Sequence, residues 1–272
     1  MFHSIKIKKA LTRLAITLVV LYTLVCVFAY FFQEKMIFIP EKLAANQAFE
    51  FTVKFHEKNY KMQDGTHINT LLFKADSSKG CVFYVHGNAG SLKGWGKISS
   101  LYTALGYDLF IMDFRGFGKS EGEIYSEDIF YSDLKFLYEE IAKEYRNKKM
   151  IIIGYSIGTG PAAMLASTYN PCKLILKAPY YNLTDRVQYQ YPFLPSFLLK
   201  YKFQTNEFVA QTTCPITIFH GDKDEVIYYG SSLKLKEHLK KGDELVTITG
   251  FNHNGMNDEE TYIHELKKIL SK

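Results

Sequence analysis

The chain has 272 residues, of which 47% are hydrophobic, and a formal net charge of +5. Most of that charge is local, because residues 1–32 hold four basic residues and no acidic one, while the other basic residues nearly balance the 28 acidic ones. This length suits one large domain or two small ones with a substantial core. Residues 33–272, whose basic and acidic residues nearly balance, lack the basic surface typical of nucleic-acid binding, so we expect no nucleic-acid partner.

The first predicted element is a membrane helix. Residues 14–32 form a run without a charge that would span about 28 Å as a helix, and a basic tail, residues 1–13, precedes it. The positive-inside rule then puts the N-terminus in the cytoplasm and the rest of the chain on the outer, periplasmic or extracytoplasmic, side. The alternative is a signal peptide cleaved at Val27-Phe28-Ala29. We prefer an uncleaved anchor because the apolar run continues beyond that site.

Residues 33–272 read as one domain in which strands alternate with helices. Two strands near its start flank a turn signal, Gln63-Asp64-Gly65, and are expected to pair antiparallel. The alternation predicts an α/β fold with a mostly parallel, doubly wound sheet. The predicted strands are 51–55, 67–73, 81–85, 109–112, 150–153, 174–176, 215–219 and 245–248. The predicted helices cover 91–105, 126–145, 231–241 and 258–270, with a further helix-forming run at 162–166.

One connection between two strands is longer than the alternation of strands and helices requires. Residues 180–214 separate two strands, are rich in Tyr and Phe, and contain prolines that interrupt any long helix. Long connections in compact domains are usually functional, so we expect a small cap over the sheet edge. A self-packed surface excursion is the alternative.

The most informative motif is Gly154-Tyr155-Ser156-Ile157-Gly158. It follows a buried strand and precedes a helix-forming run, as in the nucleophile elbow of serine hydrolases. Glycine is needed on both sides of the serine because side chains there would collide with neighbouring strands. The competing interpretation is an ordinary strand-to-helix turn that is rich in small residues.

Later strand ends supply partners for this serine. A serine hydroxyl needs a base, and the base needs a carboxylate that fixes its tautomer. Asp224 and His253 follow the last two predicted strands, in the order that such a triad requires. Asp222 is the rival acid, but it lies closer to the strand end, where an aspartate caps local N–H groups.

The remaining site residues surround this predicted triad. An oxyanion needs two N–H donors, which we assign to the backbones of Ile157 and Asn88, with Ala89 as a substitute for Asn88. The predicted substrate-binding residues are Tyr155, Tyr180, Tyr181 and Phe193. The four cysteines have no C-x-x-C spacing, and no His/Cys cluster has ligand spacing, so we expect no metal and no cofactor.

Five motifs together resemble the α/β-hydrolase superfamily, and most closely its membrane-anchored members with one N-terminal segment. They are His86-Gly-Asn-Ala-Gly90, Asp113-Phe-Arg-Gly-Phe-Gly-Lys-Ser-Glu-Gly122, Gly154-Tyr-Ser-Ile-Gly158, His220-Gly-Asp-Lys-Asp224 and Gly-Phe-Asn-His253. Residues 33–40, just after the apolar run, are similar to the start of that group. The resemblance implies an α/β-hydrolase fold and serine hydrolase chemistry, with the acid at Asp224.

These observations favour a membrane-anchored serine hydrolase that acts on a small acyl ester or thioester, because the aromatic cap and the anchor suit a lipid-like substrate. One alternative is an amidase or peptidase of the same fold. Another is a catalytically silent binding module, which is disfavoured because every triad position is occupied. One fold hosts many activities, so the substrate stays open.

Overall fold

The computed structural model describes residues 2–271 and folds most of them into alternating strands and helices. The strands are β1 (Ile39–Pro40), β2 (Phe55–Lys61), β3 (His67–Phe73), β4 (Gly80–Val85), β5 (Ala89–Gly90), β6 (Asp108–Met112), β7 (Lys149–Tyr155), β8 (Lys173–Lys177), β9 (Ile216–Gly221) and β10 (Glu244–Ile248). The α-helices are α1 (Phe2–Ile37), α2 (Leu92–Trp95), α3 (Ser99–Ala104), α4 (Glu127–Glu144), α5 (Thr159–Tyr169), α6 (Leu183–Gln190), α7 (Thr205–Gln211), α8 (Gly230–Lys236) and α9 (Glu260–Ser271).

Eight strands form the main sheet, in the order β10-β9-β8-β7-β4-β6-β3-β2. Neighbours from β10 to β6 are parallel, whereas β3 is antiparallel to both β6 and β2, which confirms the mostly parallel sheet and the antiparallel start. The chain runs outward from β4 to β6 on one side and from β7 to β10 on the other. Ligands bind at such a reversal point, outside the carboxyl ends of the strands.

The sheet is covered on both faces because its central strands are apolar on both sides. In β4, Phe83 faces one hydrophobic cluster with α4 and α5, while Tyr84 faces a second cluster with α3 and α9. Every residue of β4 is buried. Continuous apolar runs of this kind are typical of parallel strands between two helical layers.

One strand lies later in the chain than the sequence predicts. Of the predicted strand 51–55, residues 51–54 are irregular, with a bend at 52–53, and β2 begins only at Phe55. β2 is the edge strand of the sheet, and among its residues only Tyr60 is buried. Because an exposed strand needs few apolar side chains, the sequence of β2 is mostly polar and lacks the alternation of a half-buried strand. The turn between β2 and β3 is as predicted, with Gly65 at φ +88. The helix predicted to reach residue 241 ends at Lys236.

Helix α1 is longer than the predicted span and extends beyond it at both ends. Its part from Ile5 to Ile37 is long and apolar enough to cross a membrane. Most of its large apolar side chains are exposed, but Gln33 and the following Phe38 are buried against the rest of the chain. The C-terminal turns of α1 therefore pack on the domain that they precede.

The segment between β8 and β9 contains α6, a 3₁₀ turn (Ser196–Leu198) and α7. Its aromatic side chains divide into two sets. Tyr180, Tyr201 and Phe203 are fully buried in the core, whereas Tyr189, Phe193 and Phe197 are exposed. Core packing thus accounts for part of the aromatic content, and the exposed remainder needs a separate explanation.

Candidate active site

Ser156 occupies the sharp turn between β7 and α5. Its φ is +53, a left-handed conformation that costs a non-glycine residue energy. A Cβ atom on Gly154 would lie 2.6 Å from the Ala162 side chain, and one on Gly158 would lie 2.3 Å from the Val85 carbonyl oxygen. The turn therefore forms only with glycine at both flanking positions, and it directs Ser156 to the carboxyl edge of the sheet.

Two side chains hold the start of α5 in place. Thr159 Oγ1 donates a hydrogen bond to the carbonyl of Ser156 at 2.7 Å. The Tyr180 hydroxyl donates to the carbonyl of Ile157 at 3.0 Å and accepts from the N–H of Gly160 at 3.2 Å. Tyr180 enters from the segment after β8, so it ties that segment to the turn that carries Ser156.

The side chains of Ser156, His253 and Asp224 form a continuous hydrogen-bonded chain. His253 Nε2 lies 3.0 Å from Ser156 Oγ, and His253 Nδ1 lies 2.6 Å from Asp224 Oδ2. All three residues are buried. They follow β7, β9 and β10, whose carboxyl ends open on one edge of the sheet. The fold thus brings together three residues that are far apart in the sequence.

Asp224 is held in its ionised form by several donors. Its Oδ1 accepts from the N–H groups of Val226 at 2.9 Å and Ile227 at 2.8 Å, and its Oδ2 lies 3.2 Å from His220 Nε2. Burial acts to raise the pKa of Asp224, but the hydrogen bonds from His220 and His253 outweigh it and lower that pKa well below its usual range. No local pattern in the sequence singles out His220 as a partner of this carboxylate.

Asp222, the rival acid, binds the backbone of the loop after β10. Its Oδ1 accepts from the N–H of Gly250 at 2.6 Å, which links the loop after β9 to the loop after β10. Asn252 makes a second link, since its side-chain oxygen accepts from the N–H of Glu225 at 3.2 Å. These bonds join the loops that carry Asp224 and His253.

Tyr155 supports the histidine instead of lining the cavity beside Ser156. Its hydroxyl donates to the His253 carbonyl at 2.9 Å, and its ring stacks on the His253 ring with centroids 5.3 Å apart. Trp95 packs behind it at 5.5 Å. Tyr155, which the sequence suggested as a substrate contact, packs in the hydrophobic cluster that includes α3 and α9 and is not among the residues that line the cavity.

A cavity of about 240 Å³ lies in front of Ser156. Asn88 and Ile157 border it beside the serine, and Tyr180 forms part of its wall. Tyr181 and Phe193, which the sequence also suggested as substrate contacts, lie outside it. The Tyr181 hydroxyl faces His238 Nε2 at 3.2 Å, and Phe193 is exposed.

Asn88 is also part of the junction with α1. Its side-chain amide donates to the Ile37 carbonyl at 3.0 Å, and its own carbonyl accepts from the N–H of Ile39 at 2.8 Å. The carbonyl of Ala89, the substitute donor in the sequence analysis, accepts from Trp95 Nε1 at 2.8 Å. Ala89 borders a separate, shallower depression of about 440 Å³ that does not reach Ser156.

The end of α1 forms one wall of the cavity, which the sequence analysis did not anticipate. Ala29, Gln33, Met36 and Ile37 line it, a spacing that places them on one face of the helix. That spacing is visible in the sequence, but within an apolar run it does not distinguish a wall from a lipid-facing surface. Arg186 is the charged residue on the opposite side, and burial lowers its pKa.

Within residues 2–271, no cluster of three or more His, Cys, Asp or Glu side chains has a geometry that could hold a metal ion.

Comparisons with known proteins identify relatives of this chain by sequence. Residues 76–205 match the family described as serine aminopeptidase, S33. The chain is 31% identical over 201 residues to alpha/beta hydrolase domain-containing protein 17B of Xenopus laevis, covering 72% of this chain and 67% of that protein. It is 30% identical over 201 residues to the protein of that name in Homo sapiens, with the same coverage.

Solved structures share the fold at lower identity. An esterase of Pyrococcus furiosus superposes with a TM-score of 0.66 at 18% identity, over 86% of this chain and 95% of that one. A soluble variant of monoglyceride lipase from Saccharomyces cerevisiae superposes with a TM-score of 0.61 at 17% identity, over 83% of this chain and 97% of that one.

Proposed function

Because the chain belongs to the α/β-hydrolase superfamily and is a serine hydrolase, we propose that it cleaves acyl esters or thioesters with Ser156, His253 and Asp224 as its catalytic triad. The observation that carries this proposal is the hydrogen-bonded chain from Ser156 Oγ through His253 to Asp224. Hydroxyl, imidazole and carboxylate in this order activate a serine for attack on an acyl carbon.

The reaction follows from this arrangement. Ser156 Oγ attacks the acyl carbonyl carbon while His253 Nε2 accepts the hydroxyl proton and then gives it to the leaving alcohol or thiol. An acyl-enzyme remains. Water attacks that ester with His253 again as the base, which releases the acid and restores the serine. The ionised Asp224 keeps the proton on His253 Nδ1 and stabilises the imidazolium that forms in each half-reaction.

The negative charge on the carbonyl oxygen needs donors that are already in position. We assign them to the backbone N–H groups of Ile157, which begins the turn into α5, and of Asn88, after β4. Both residues border the cavity in front of Ser156, which supports this assignment. The hydrogen bonds that tie Asn88 to Ile37 and Ile39 would keep its loop from shifting during the reaction.

The shape and lining of the cavity favour an acyl chain as the substrate part that it binds. Apart from Arg186, Gln33 and Asn88, its walls are largely aliphatic or aromatic, with contributions from residues 183–199 of the proposed cap. Apolar pockets with a few polar groups fix a ligand by burial and orient it by those groups. An amidase or peptidase remains a second candidate, since residues 76–205 match the serine aminopeptidase family.

We further propose that residues 14–32 of α1 anchor the protein in a membrane as an uncleaved segment, with the hydrolase domain on the outer side. The contribution of Ala29, Gln33 and Met36 to the cavity supports retention of the segment, because removal of α1 would open one wall of the site. The basic residues before the run support a cytoplasmic N-terminus.

The direct test uses the full chain in detergent. A fluorophosphonate probe should label Ser156, and the wild type should hydrolyse p-nitrophenyl esters of graded acyl length. Ser156→Ala and His253→Ala should each lower kcat by about 10³-fold or more. Ser167→Ala, in the last turn of α5, is the matched control and should keep full activity. Labelling of another serine would contradict the assignment, and faster hydrolysis of the matching p-nitroanilides would favour the amidase.

A further inference from the structure

The segment 191–199, which we name the apolar loop, lies against α1 at the edge of the cavity. We propose that the apolar loop enters the same membrane leaflet as the adjoining half of α1, so that the cavity opens into that leaflet. The occupant of this surface would be the acyl-chain region of a lipid bilayer, and the substrate chain would enter from it. The route for substrate rests on the proposed function, whereas the position of the loop does not.

Specific hydrogen bonds hold the apolar loop against α1. The Tyr22 hydroxyl donates to the Phe193 carbonyl at 2.8 Å. Gln33 Nε2 donates to the Leu198 carbonyl at 3.1 Å, and Gln33 Oε1 accepts from the N–H of Lys200 at 2.9 Å. Tyr22 and Gln33 are three helical turns apart, so the loop follows α1 for about 16 Å.

The hydrogen bond from Tyr22 determines where the loop must lie if α1 is in a membrane. Tyr22 is inside the charge-free run 14–32, so a bilayer that contains this run also surrounds the part of the loop beside Tyr22. The loop itself contains no charged residue. Glu34 and Lys200 are the first charged residues after the run and after the loop, and they pair at 3.0 Å, which marks one common boundary with water.

The exposed side chains of the apolar loop are those that a bilayer would cover. Phe197 is 82% exposed and Phe193 is 57% exposed, although both lie in a domain with a well-filled core. Large exposed apolar patches mark interaction sites, and this one is continuous with the exposed apolar surface of α1. Continuity with a membrane helix favours lipid over a soluble partner.

Several polar groups of the loop backbone are bonded within the loop or to α1. Irregular backbone is tolerated beside hydrocarbon only where its polar groups are bonded internally. Pro192 and Pro195 have no N–H, and the N–H groups of Leu194, Leu198 and Leu199 donate to carbonyls within the loop. The carbonyls of residues 193 and 198 accept the two side-chain bonds from α1.

The cavity lies between the two elements. Ala29, Gln33 and Met36 of α1 form one wall, and Tyr191 and Leu194 of the loop contribute to the other. Ala29, which belongs to the charge-free run of α1, lines the same cavity as Ser156. An acyl chain that is already in the leaflet would therefore reach Ser156 without exposing its CH₂ groups to water, which is unfavourable for apolar surface.

The position of the loop can be measured by fluorescence quenching in the full chain. Phe197→Cys is introduced together with Cys26→Ser and Cys172→Ser, labelled with bimane and reconstituted in phosphatidylcholine vesicles that carry nitroxides on their acyl chains. The label at residue 197 should be quenched strongly. A label at His264→Cys is the control, since this residue is exposed on α9 against the other sheet face. Equal, weak quenching at both positions would overturn the proposal.

The route for substrate is tested by comparing two esters. Phe197→Asp should lower hydrolysis of a long-chain ester embedded in vesicles by about tenfold or more, because a carboxylate is excluded from hydrocarbon. It should leave hydrolysis of water-soluble p-nitrophenyl butyrate unchanged, and Phe197→Leu should keep both activities. An unchanged ratio in Phe197→Asp would overturn lateral entry. A wild type inactive on both esters would overturn the proposed function, while quenching still decides the position of the loop.

Discussion

His253 Nδ1 lies 2.6 Å from Asp224 Oδ2, and the two residues belong to loops that follow the adjacent strands β10 and β9. A separate pair of bonds, from Gly250 to Asp222 and from Glu225 to Asn252, ties the same loops together. The two neighbouring aspartates thus have different surroundings: Asp224 faces the histidine, whereas Asp222 fastens the loop.

Removing one carboxylate at a time separates these roles. Asp224→Asn should lower kcat by several orders of magnitude, roughly 10⁴-fold, because an asparagine holds the wrong histidine tautomer. Asp222→Asn should keep most activity and lower the free energy of unfolding by about 0.5–2 kcal/mol, since a backbone N–H loses a charged acceptor. Steady-state kinetics and urea denaturation of both variants check this, and reversed activity losses would make Asp222 the acid.

The turn at Ser156 should tolerate no added methyl group. Gly158→Ala should destabilise the protein by about 1–3 kcal/mol and lower kcat, because its Cβ would meet the Val85 carbonyl oxygen at 2.3 Å. Gly94→Ala is the matched control, since nothing lies within 4 Å of the added atom. Thermal denaturation should show a loss only for Gly158→Ala, and equal losses would remove the steric explanation.

Asp113 should make stability depend on pH. Burial raises the pKa of Asp113 to about 8, and its Oδ2 has no hydrogen-bond partner among residues 2–271. Between the unfolded pKa of about 4 and the folded value, the folded protein binds one more proton than the unfolded chain. The contribution of Asp113 to stability should therefore be complete below pH 4 and be lost as the pH rises towards 8, with a slope of at most about 1.4 kcal/mol per pH unit.

The test compares Asp113→Asn, which imitates the protonated acid, with the wild type. Urea denaturation at several pH values from 5 to 8 should show a smaller fall in stability for the variant. Asp76→Asn, at an exposed position, serves as the control and should follow the wild type. A variant whose pH dependence equals that of the wild type would show that Asp113 ionises normally.

The membrane orientation can be read from a native thiol. Of the described cysteines, Cys172 is exposed, Cys81 and Cys214 are buried, and Cys26 lies in α1. If the hydrolase domain is on the outer side, a membrane-impermeant maleimide should label spheroplasts at Cys172, and Cys172→Ser should lose that label. Labelling that appears only after the membrane is broken would place the domain in the cytoplasm.

The sequence by itself determined the mostly parallel sheet and the family, because both depend on local patterns. Apolar runs mark the central strands, and glycines on both sides of Ser156 are required wherever a strand turns sharply into a helix. The candidates Asp224 and His253 followed from strand order alone, since the carboxyl ends of parallel strands meet at one edge. The polar edge strand β2 was placed inaccurately because an exposed strand needs no apolar alternation.

Only the tertiary structure decided which distant residues meet. Gln33 forms a cavity wall, His220 contacts Asp224, and Tyr155 packs against His253 instead of the cavity. None of these contacts has a local signature, because each depends on how two packed elements approach each other. The face of α1 that includes Ala29 and Met36 would look the same in sequence whether it met lipid or the hydrolase domain, and packing against the segment after β8 decides between them.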